Sequence, residues 1–362
     1  MCTALLYRDA VGTVYAGRTL ELPMEMPYLV AYLPSGRVCG SQVAGRAALS
    51  YASKYDILAV AVPFSPDDLK IVEGFNAEGL TFSALSYADA SGPQDSFDKT
   101  KAALSAVDLG SWALGQFANV ADVKKALADQ PVLLAPLAIL GGAKTPFHFV
   151  LHDRTGASIV VEFADGAQSV YDNPVGVMTN GPAFPWHLTN LDNYTFLSNI
   201  DRSETRFGSL DVSQPDSGIA TAGLPASNTS VGRFVRAVYY AQFAEKASAP
   251  DSAVRTLAHV MNNFDRPRGI TVDRRGGSGG IESGENAQSG NATSSEYTSW
   301  TALMDLGRQQ LFLRTYAGLN YTMFDLGRLS AAREIRVMPL TVLDVMAEDG
   351  NALLVDAAPK AG

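Results

Sequence analysis

Two apolar and aromatic runs joined by a short polar turn open the chain: CTALLYR at 2–8, DAVG at 9–12 and TVYAGRTLEL at 13–22. This is the pattern of an antiparallel hairpin, and it constrains the fold because it recurs. FHFVLHD (147–153) and SIVVEF (158–163) flank RTGA, and TSWTALMDL (298–306), QLFLRTY (310–316) and NYTMFDL (320–326) read as a three-stranded meander. ILAVAVP (57–63) and GLTFSALSY (79–87) are further strands, short strands cluster around SVYDNPVGVMTN (169–180), and EIRVMPL (334–340) closes the series. Helical patterns fall in pairs between the strand blocks. FDKTKAALSAVDLGSWALGQF (97–117) carries an apolar stripe at Ala103, Leu104, Val107, Leu114 and Phe117, and Asn119 has the form of a cap for VADVKKALAD. GRFVRAVYYAQFAEK (232–246) and SAVRTLAHVMNNF (252–264) make the second pair. Hairpins outnumber any βαβ alternation, so the expected class is α+β, with antiparallel sheets covered by helices.

The 362 residues show no internal repeat and read as one domain, 1–362. The single low-complexity stretch, RRGGSGGIESGENAQSGNATSS (274–295), is too polar and Gly/Ser-rich to pack and is expected to be a mobile loop rather than a linker. A net charge of −9 with no basic patch argues against a nucleic-acid partner. No apolar run reaches the roughly eighteen residues of a membrane span, and MCTALLYRDA lacks the basic and apolar regions of a secretory leader. The four histidines (His148, His152, His187, His259) have no metal-ligand spacing, and Cys2 and Cys39 form no CxxC, so neither a metal nor a cofactor is expected. His148 and His152 are expected on one face of a strand, with Trp186, His187 and Cys39 structural. Asn291-Ala-Thr matches a glycosylation acceptor in form only.

The chemistry concentrates at the start. If Met1 is removed, by autocatalysis or by an aminopeptidase, Cys2 carries a thiol and a free α-amine on one residue. A free thiol titrates near ~8.5 and an α-amine near ~7.7–8.0, so the amine serves as base to its own nucleophile. The hairpin brings Arg18 towards the thiol, where a guanidinium favours thiolate, and Glu21 is placed to orient the amine.

MCT at the start, GRTLE at 17–21, VMTNGPAFPWHLTNLDNY at 177–194, GLPASNTSVGRFVR at 223–236 and EYTSWTALMDL at 296–306 together resemble the choloylglycine hydrolases, the bile salt hydrolases and penicillin V acylases of the N-terminal nucleophile (Ntn) hydrolase superfamily. The resemblance implies a four-layer αββα sandwich, often assembled as a homotetramer, that hydrolyses linear amide C–N bonds. By motif, it makes Cys2 the nucleophile and its amine the base, with Arg18 beside the thiol. Glu21 stands where the family has aspartate, Asn180 supplies a side-chain oxyanion donor, and Arg233 completes a charged ring. Ser86, which follows GLTFSAL, stands where the two substrate classes carry asparagine or tyrosine, and its backbone N–H is a further oxyanion donor. The resemblance also implies a Gram-negative-type bacterial member, cytoplasmic as the sequence stands and periplasmic if Met1 replaces a removed leader.

Singly, each of these residues has a plain alternative: Arg18 and Glu21 as a surface strand pair, Asn180 as a turn residue in TNGP, Arg233 on a solvated helix face. In family order they point to one site. Leu22, Met24, Met26 and Tyr28 are expected to wall an acyl pocket, with core packing as the alternative. The expected activity is an amidase on N-acyl amides, of the penicillin V acylase or N-acyl homoserine lactone acylase kind. A conjugated bile salt hydrolase is the alternative, and a non-catalytic binding or assembly protein on the same fold is the alternative of another class.

Overall fold

The opening hairpin forms as expected. β1 (Cys2–Arg8) and β2 (Val14–Leu22) pair antiparallel, with Cys2 opposite Leu20 and Ala4 opposite Arg18. β3 (Leu29–Leu33), β4 (Ile57–Ser65), β5 (Asp68–Asn76) and β6 (Thr81–Ser86) follow. Next come β7 (Phe147–His152), β8 (Ser158–Ala164), β9 (Ala167–Asp172) and β10 (Val177–Met178), then β11 (Tyr297–Asp305), β12 (Gln310–Thr315), β13 (Thr322–Asp325) and β14 (Arg336–Pro339). The helices that concern the site are α1 (Leu109–Gln116), α2 (Val120–Leu127), α3 (Phe184–Asn190), α4 (Ser230–Phe243) and α5 (Pro250–Asn262). The computed structural model describes residues 1–65, 68–93, 100–140, 142–274, 293–347 and 351. Most of the Gly/Ser-rich stretch expected to be mobile, with Asn291, lies outside the described residues.

Two antiparallel sheets carry the architecture. One has six strands in the order β10–β1–β2–β11–β12–β13, the other eight in the order β9–β8–β7–β6–β5–β4–β3–β14. α1 packs on β5 and β6 with α2 on β8, while α4 packs on β1 and α5 on β2 and β11. The result is the αββα sandwich. Helices on the outer faces leave each sheet with two buried faces, which explains why ILAVAV runs apolar without alternation. In β4, Leu58, Val60 and Val62 join the large core cluster, whereas Ile57, Ala59 and Ala61 pack into the cluster that includes α1.

One glycine fixes a close approach. A Cβ at Gly17 would lie 2.8 Å from Met261 Sδ and 2.9 Å from Leu257 Cδ1, so the missing side chain lets α5 settle on β2. Strand alternation then turns Arg18 to the opposite face, between the sheets.

One expectation needs correction. Of the helix expected over 97–117, the described residues from 100 onward form an α-helix over Leu109–Gln116, because Leu104–Ser105 instead pair in parallel with Val132–Leu133. EIRVMPL, which closes the series of strands in sequence, lies in the other sheet from the meander: β14 pairs with β3. Asn119 does cap α2, its side chain accepting from Asp122 N at 2.9 Å. Among the described residues no helix is long and apolar enough to cross a membrane.

Candidate active site

Cys2 begins β1 and Arg18 lies diagonally across the hairpin on the same face, a neighbour within reach of a long side chain. Both are buried, and Arg18 Nη2 donates to Cys2 Sγ at 3.4 Å. The two terminal nitrogens of the guanidinium are also bonded to the other sheet, while Nε is buried without a hydrogen-bond partner. Nη1 donates to Glu73 Oε2 and to the Val72 carbonyl, each at 2.8 Å, Nη2 also donates to the Ala84 carbonyl, and the plane sits 5.0 Å from the Trp300 ring centroid. Burial works against the Arg18 charge, but Cys2 and Glu73 outweigh it and hold the guanidinium protonated more firmly than usual. Burial pushes the Glu73 carboxyl up to about 7 despite Arg18.

Asn180 and Arg233 close on the same residue from the other side. Asn180 Oδ1 accepts from Cys2 N at 2.9 Å and from Arg233 Nη2 at 2.6 Å. Arg233 Nη1 donates to the Cys2 carbonyl and to Thr3 Oγ1, and Nε to the Asn228 carbonyl at 3.0 Å. Arg233 reaches inward because Thr229 caps α4, its side chain accepting from Gly232 N, which fixes the first helical turn against β1. Burial lowers the Arg233 pKa, with Glu21 and Cys2 opposing that shift. Asn180 is itself anchored: its N donates to Ser230 Oγ at 2.9 Å, and its carbonyl accepts from His187 Nε2 at 2.8 Å. His187 stacks on Phe234 and burial holds its pKa down at about 4, so the ring is neutral with the proton on Nε2. His148 is buried one residue behind, between Glu162 and the Thr179 carbonyl, at 3.2 and 3.1 Å.

Glu21 sits beyond a β-bulge between Leu20 and Glu21. Its main chain brackets the preceding residue: Glu21 N donates to the Met1 carbonyl at 2.8 Å, and Met1 N donates to the Glu21 carbonyl at 2.5 Å. Its fully buried carboxyl accepts from Thr298 Oγ1 at 3.1 Å, while Oε2 has no hydrogen-bond partner. Burial raises its pKa, against Arg233 and the N-terminal ammonium. The Cys2 nitrogen is thus held by Asn180, and the Glu21 carboxyl is turned towards Thr298.

Cys2 and Arg18 border a pocket enclosing about 740 Å³ of empty space, part of it open to solvent. Leu22, Met26 and Tyr28 line it as expected from their place after GRTLE, and Ser86 does too, but Met24 is not among the lining residues. The remaining wall is apolar, with Val62, Ile71, Leu137, Ile139, Phe147 and Phe149 prominent. Apart from Arg18, the charged side chain on it is Lys70, which is spent on Asp68 and Asp108 at 2.6 Å each. Such a lining takes up an apolar group and leaves polar recognition to the Cys2 end.

Glu73 and Trp300 join this cluster without having been expected. A trace of Glu73 was present in the sequence, as a lone carboxylate inside the apolar run IVEGF, where an unpaired charge would be costly.

Residues 2–330 match the choloylglycine hydrolase family, described as linear amide C–N hydrolases. A bile salt hydrolase/transferase of Clostridium perfringens is 27% identical over 271 residues, 75% of this chain and 81% of that protein. A penicillin V acylase of Pectobacterium atrosepticum is 27% identical over 244 residues, 66% of this chain and 59% of that one. In three dimensions the chain resembles a mutant of the conjugated bile acid hydrolase of Clostridium perfringens, with a TM-score of 0.79 at 23% identity over 96% of this chain and 99% of the other. The fold is that of the Ntn hydrolases. The chain belongs to the choloylglycine hydrolase family of linear amide C–N hydrolases.

Proposed function

We propose that this amide hydrolase uses Cys2, freed of Met1, as an N-terminal nucleophile on N-acyl amides whose apolar acyl group fills the pocket. The observation that carries this reading is the position of Cys2 Sγ, beside Arg18 and at the edge of an almost wholly apolar cavity. Cys2 Sγ attacks the amide carbonyl, forming a C–S bond, while the thiol proton passes to the neutral α-amine of the same residue. Asn180 Oδ1 holds that nitrogen. Asn180 Nδ2 and the Ser86 N–H donate to the oxyanion. Collapse breaks the C–N bond, the leaving amine takes the proton from the Cys2 ammonium, and water then hydrolyses the thioester with the α-amine again as base. Arg233 fixes Asn180 and the Cys2 carbonyl, and the buried Glu21 carboxyl complements the charge of Arg233.

The substrates that fit are penicillin V-like and N-acyl homoserine lactone-like amides. A conjugated bile salt is the second reading, favoured by the relatives named as bile salt hydrolases. We read the chain as one domain, acting as a bacterial homo-oligomer on small molecules. A panel that varies only the acyl group tests the substrate class, using protein shown by intact mass to lack Met1. Each methylene that enters the pocket contributes about 0.8 kcal/mol, so kcat/KM is expected to climb about fourfold per methylene until the pocket is full. A flat profile with turnover confined to steroid conjugates favours the second reading. Hydrolysis that survives Cys2→Ala would remove the nucleophile reading altogether.

A further inference from the structure

Glu73 is buried within the catalytic cluster yet reaches it only through Arg18. It rises from β5 in the eight-stranded sheet, and its Oε2 accepts from Arg18 Nη1 at 2.8 Å while Nη2 of the same guanidinium faces Cys2 Sγ at 3.4 Å. Arg18 is 1% exposed and Glu73 2%, so water does not screen the exchange between them. The guanidinium is held against both partners by the Val72 and Ala84 carbonyls, which bind Nη1 and Nη2, and by the Trp300 ring. One fixed positive charge therefore stands between two acids. A neutral pair of Arg18 with the Glu73 carboxylate offers the thiol much less than an unpaired guanidinium would.

We propose that Glu73 is a positioning residue that sets how much of the Arg18 charge reaches the Cys2 thiol, and so tunes its reactivity through the shared guanidinium. The inference rests on the nucleophile reading above. An over-stabilised thiolate is a weaker nucleophile, because nucleophilicity falls as the thiolate becomes easier to form. The charged and titratable groups facing Cys2 are Arg18 from β2, Arg233 from α4 and Tyr28 from the segment before β3. Those facing Glu73 are Arg18 and, from β6, the Ser83 hydroxyl, which hydrogen-bonds the carboxyl and favours its ionised form. Lys70 on the same strand is taken by Asp68 and Asp108, and Glu21 is turned to Thr298.

The experiment is the pH profile of iodoacetamide alkylation, read by mass spectrometry after tryptic digestion. Cys2 reports in CTALLYR (2–8), and Cys39, in VCGSQVAGR (38–46), is the internal control. In Glu73→Gln the midpoint for Cys2 is expected to move down by roughly one pH unit while that of Cys39 stays in place. Glu73→Asp, which keeps a carboxylate, is expected to hold the parent midpoint to within about 0.3 unit. kcat, read at a pH above both midpoints, is expected to fall about threefold in Glu73→Gln with KM within about twofold, since Glu73 does not line the pocket. Should Glu73→Gln fail to fold, Ser83→Ala decides: it disfavours the carboxylate and is expected to move the Cys2 midpoint down by a smaller step. An unmoved Cys2 midpoint in the folded Gln variant, or in Ser83→Ala if Gln does not fold, overturns the role of Glu73. Alkylated Cys2 that still hydrolyses amides overturns the nucleophile reading instead.

Discussion

Asn180 Nδ2 donates to the Ser86 carbonyl at 2.7 Å, linking the turn after β10 to the end of β6 across 94 residues. One of the two amide hydrogens is committed to that bond, and the side chain cannot rotate because Oδ1 is gripped by Cys2 N and Arg233. The second N–H is thereby aimed by its neighbours rather than by its own rotamer preference.

Asn180→Ala is expected to lower kcat by about 10²–10³ with little change in KM, the pattern of a lost oxyanion donor. Asn180→Asp keeps the acceptor for Cys2 N but loses the donor, so a similar fall in that variant assigns the effect to Nδ2. A change confined to KM would contradict the assignment.

Arg18→Gln is expected to cost about 3–5 kcal/mol in urea unfolding, since it leaves the Glu73 carboxyl buried without its cation. The sign of its pH dependence follows from Glu73. A carboxyl whose folded pKa is raised adds stability below its unfolded value of ~4.5, and that stability is lost as pH rises through the folded pKa, about 7 in the parent. Without Arg18 the folded pKa climbs further, so the variant keeps losing stability where the parent has levelled off. The cost is therefore expected to be larger at pH 9 than at pH 6, and a cost independent of pH would count against the pairing.

Gly17→Ala places a methyl where Met261 Sδ and Leu257 Cδ1 already lie. A loss of about 1–3 kcal/mol by chemical denaturation is expected from overpacking, with kcat of the folded fraction changed by less than about threefold because Arg18 faces the other way. An unchanged denaturation midpoint would mean that α5 yields freely.

His187→Phe keeps a ring against Phe234 but removes the hydrogen bond to the Asn180 carbonyl, at a cost near ~1 kcal/mol. The parent histidine has its folded pKa held at about 4, below the unfolded ~6.5, so the unfolded chain binds the extra proton between those values. The parent loses stability there as pH falls, whereas the phenyl ring of the variant has no proton to gain. The cost of the substitution, measured by urea unfolding from pH 7 to pH 4, is expected to shrink on acidification; a cost that grows would reverse the argument.

Local signals read well where the determinant was local. The 2–22 hairpin followed from two strand-like runs around a turn, and the Asn119 cap from a single side chain placed before an amphipathic run. The segment 97–117 did not, because an apolar stripe of Ala and Leu suits a buried bridge as well as a helix, and only the partner Val132–Leu133 decides between them. The partner of EIRVMPL lies some 300 residues upstream, beyond any window of sequence. At the site, Cys2 and Arg18 could be placed from the hairpin register alone. Asn180 and Arg233 needed the family motifs, and Glu73 needed the second sheet, since nothing in VEGFN names Arg18 as its partner. The Glu21 carboxyl illustrates the reverse: proximity along β2 suggested a contact with the Cys2 nitrogen, and the bulge after Leu20 redirects it to Thr298.

The ring around the sulfur joins residues 178 and 231 positions apart in the chain. Arg18 comes with the hairpin itself, but Asn180 and Arg233 reach Cys2 only once the turn after β10 and α4 have settled against β1. A chain truncated before α4 thus lacks the Arg233 contacts to the Cys2 carbonyl and to Asn180. Any assay of turnover is consequently expected to double as a reporter of whether α4 has docked on the opening hairpin.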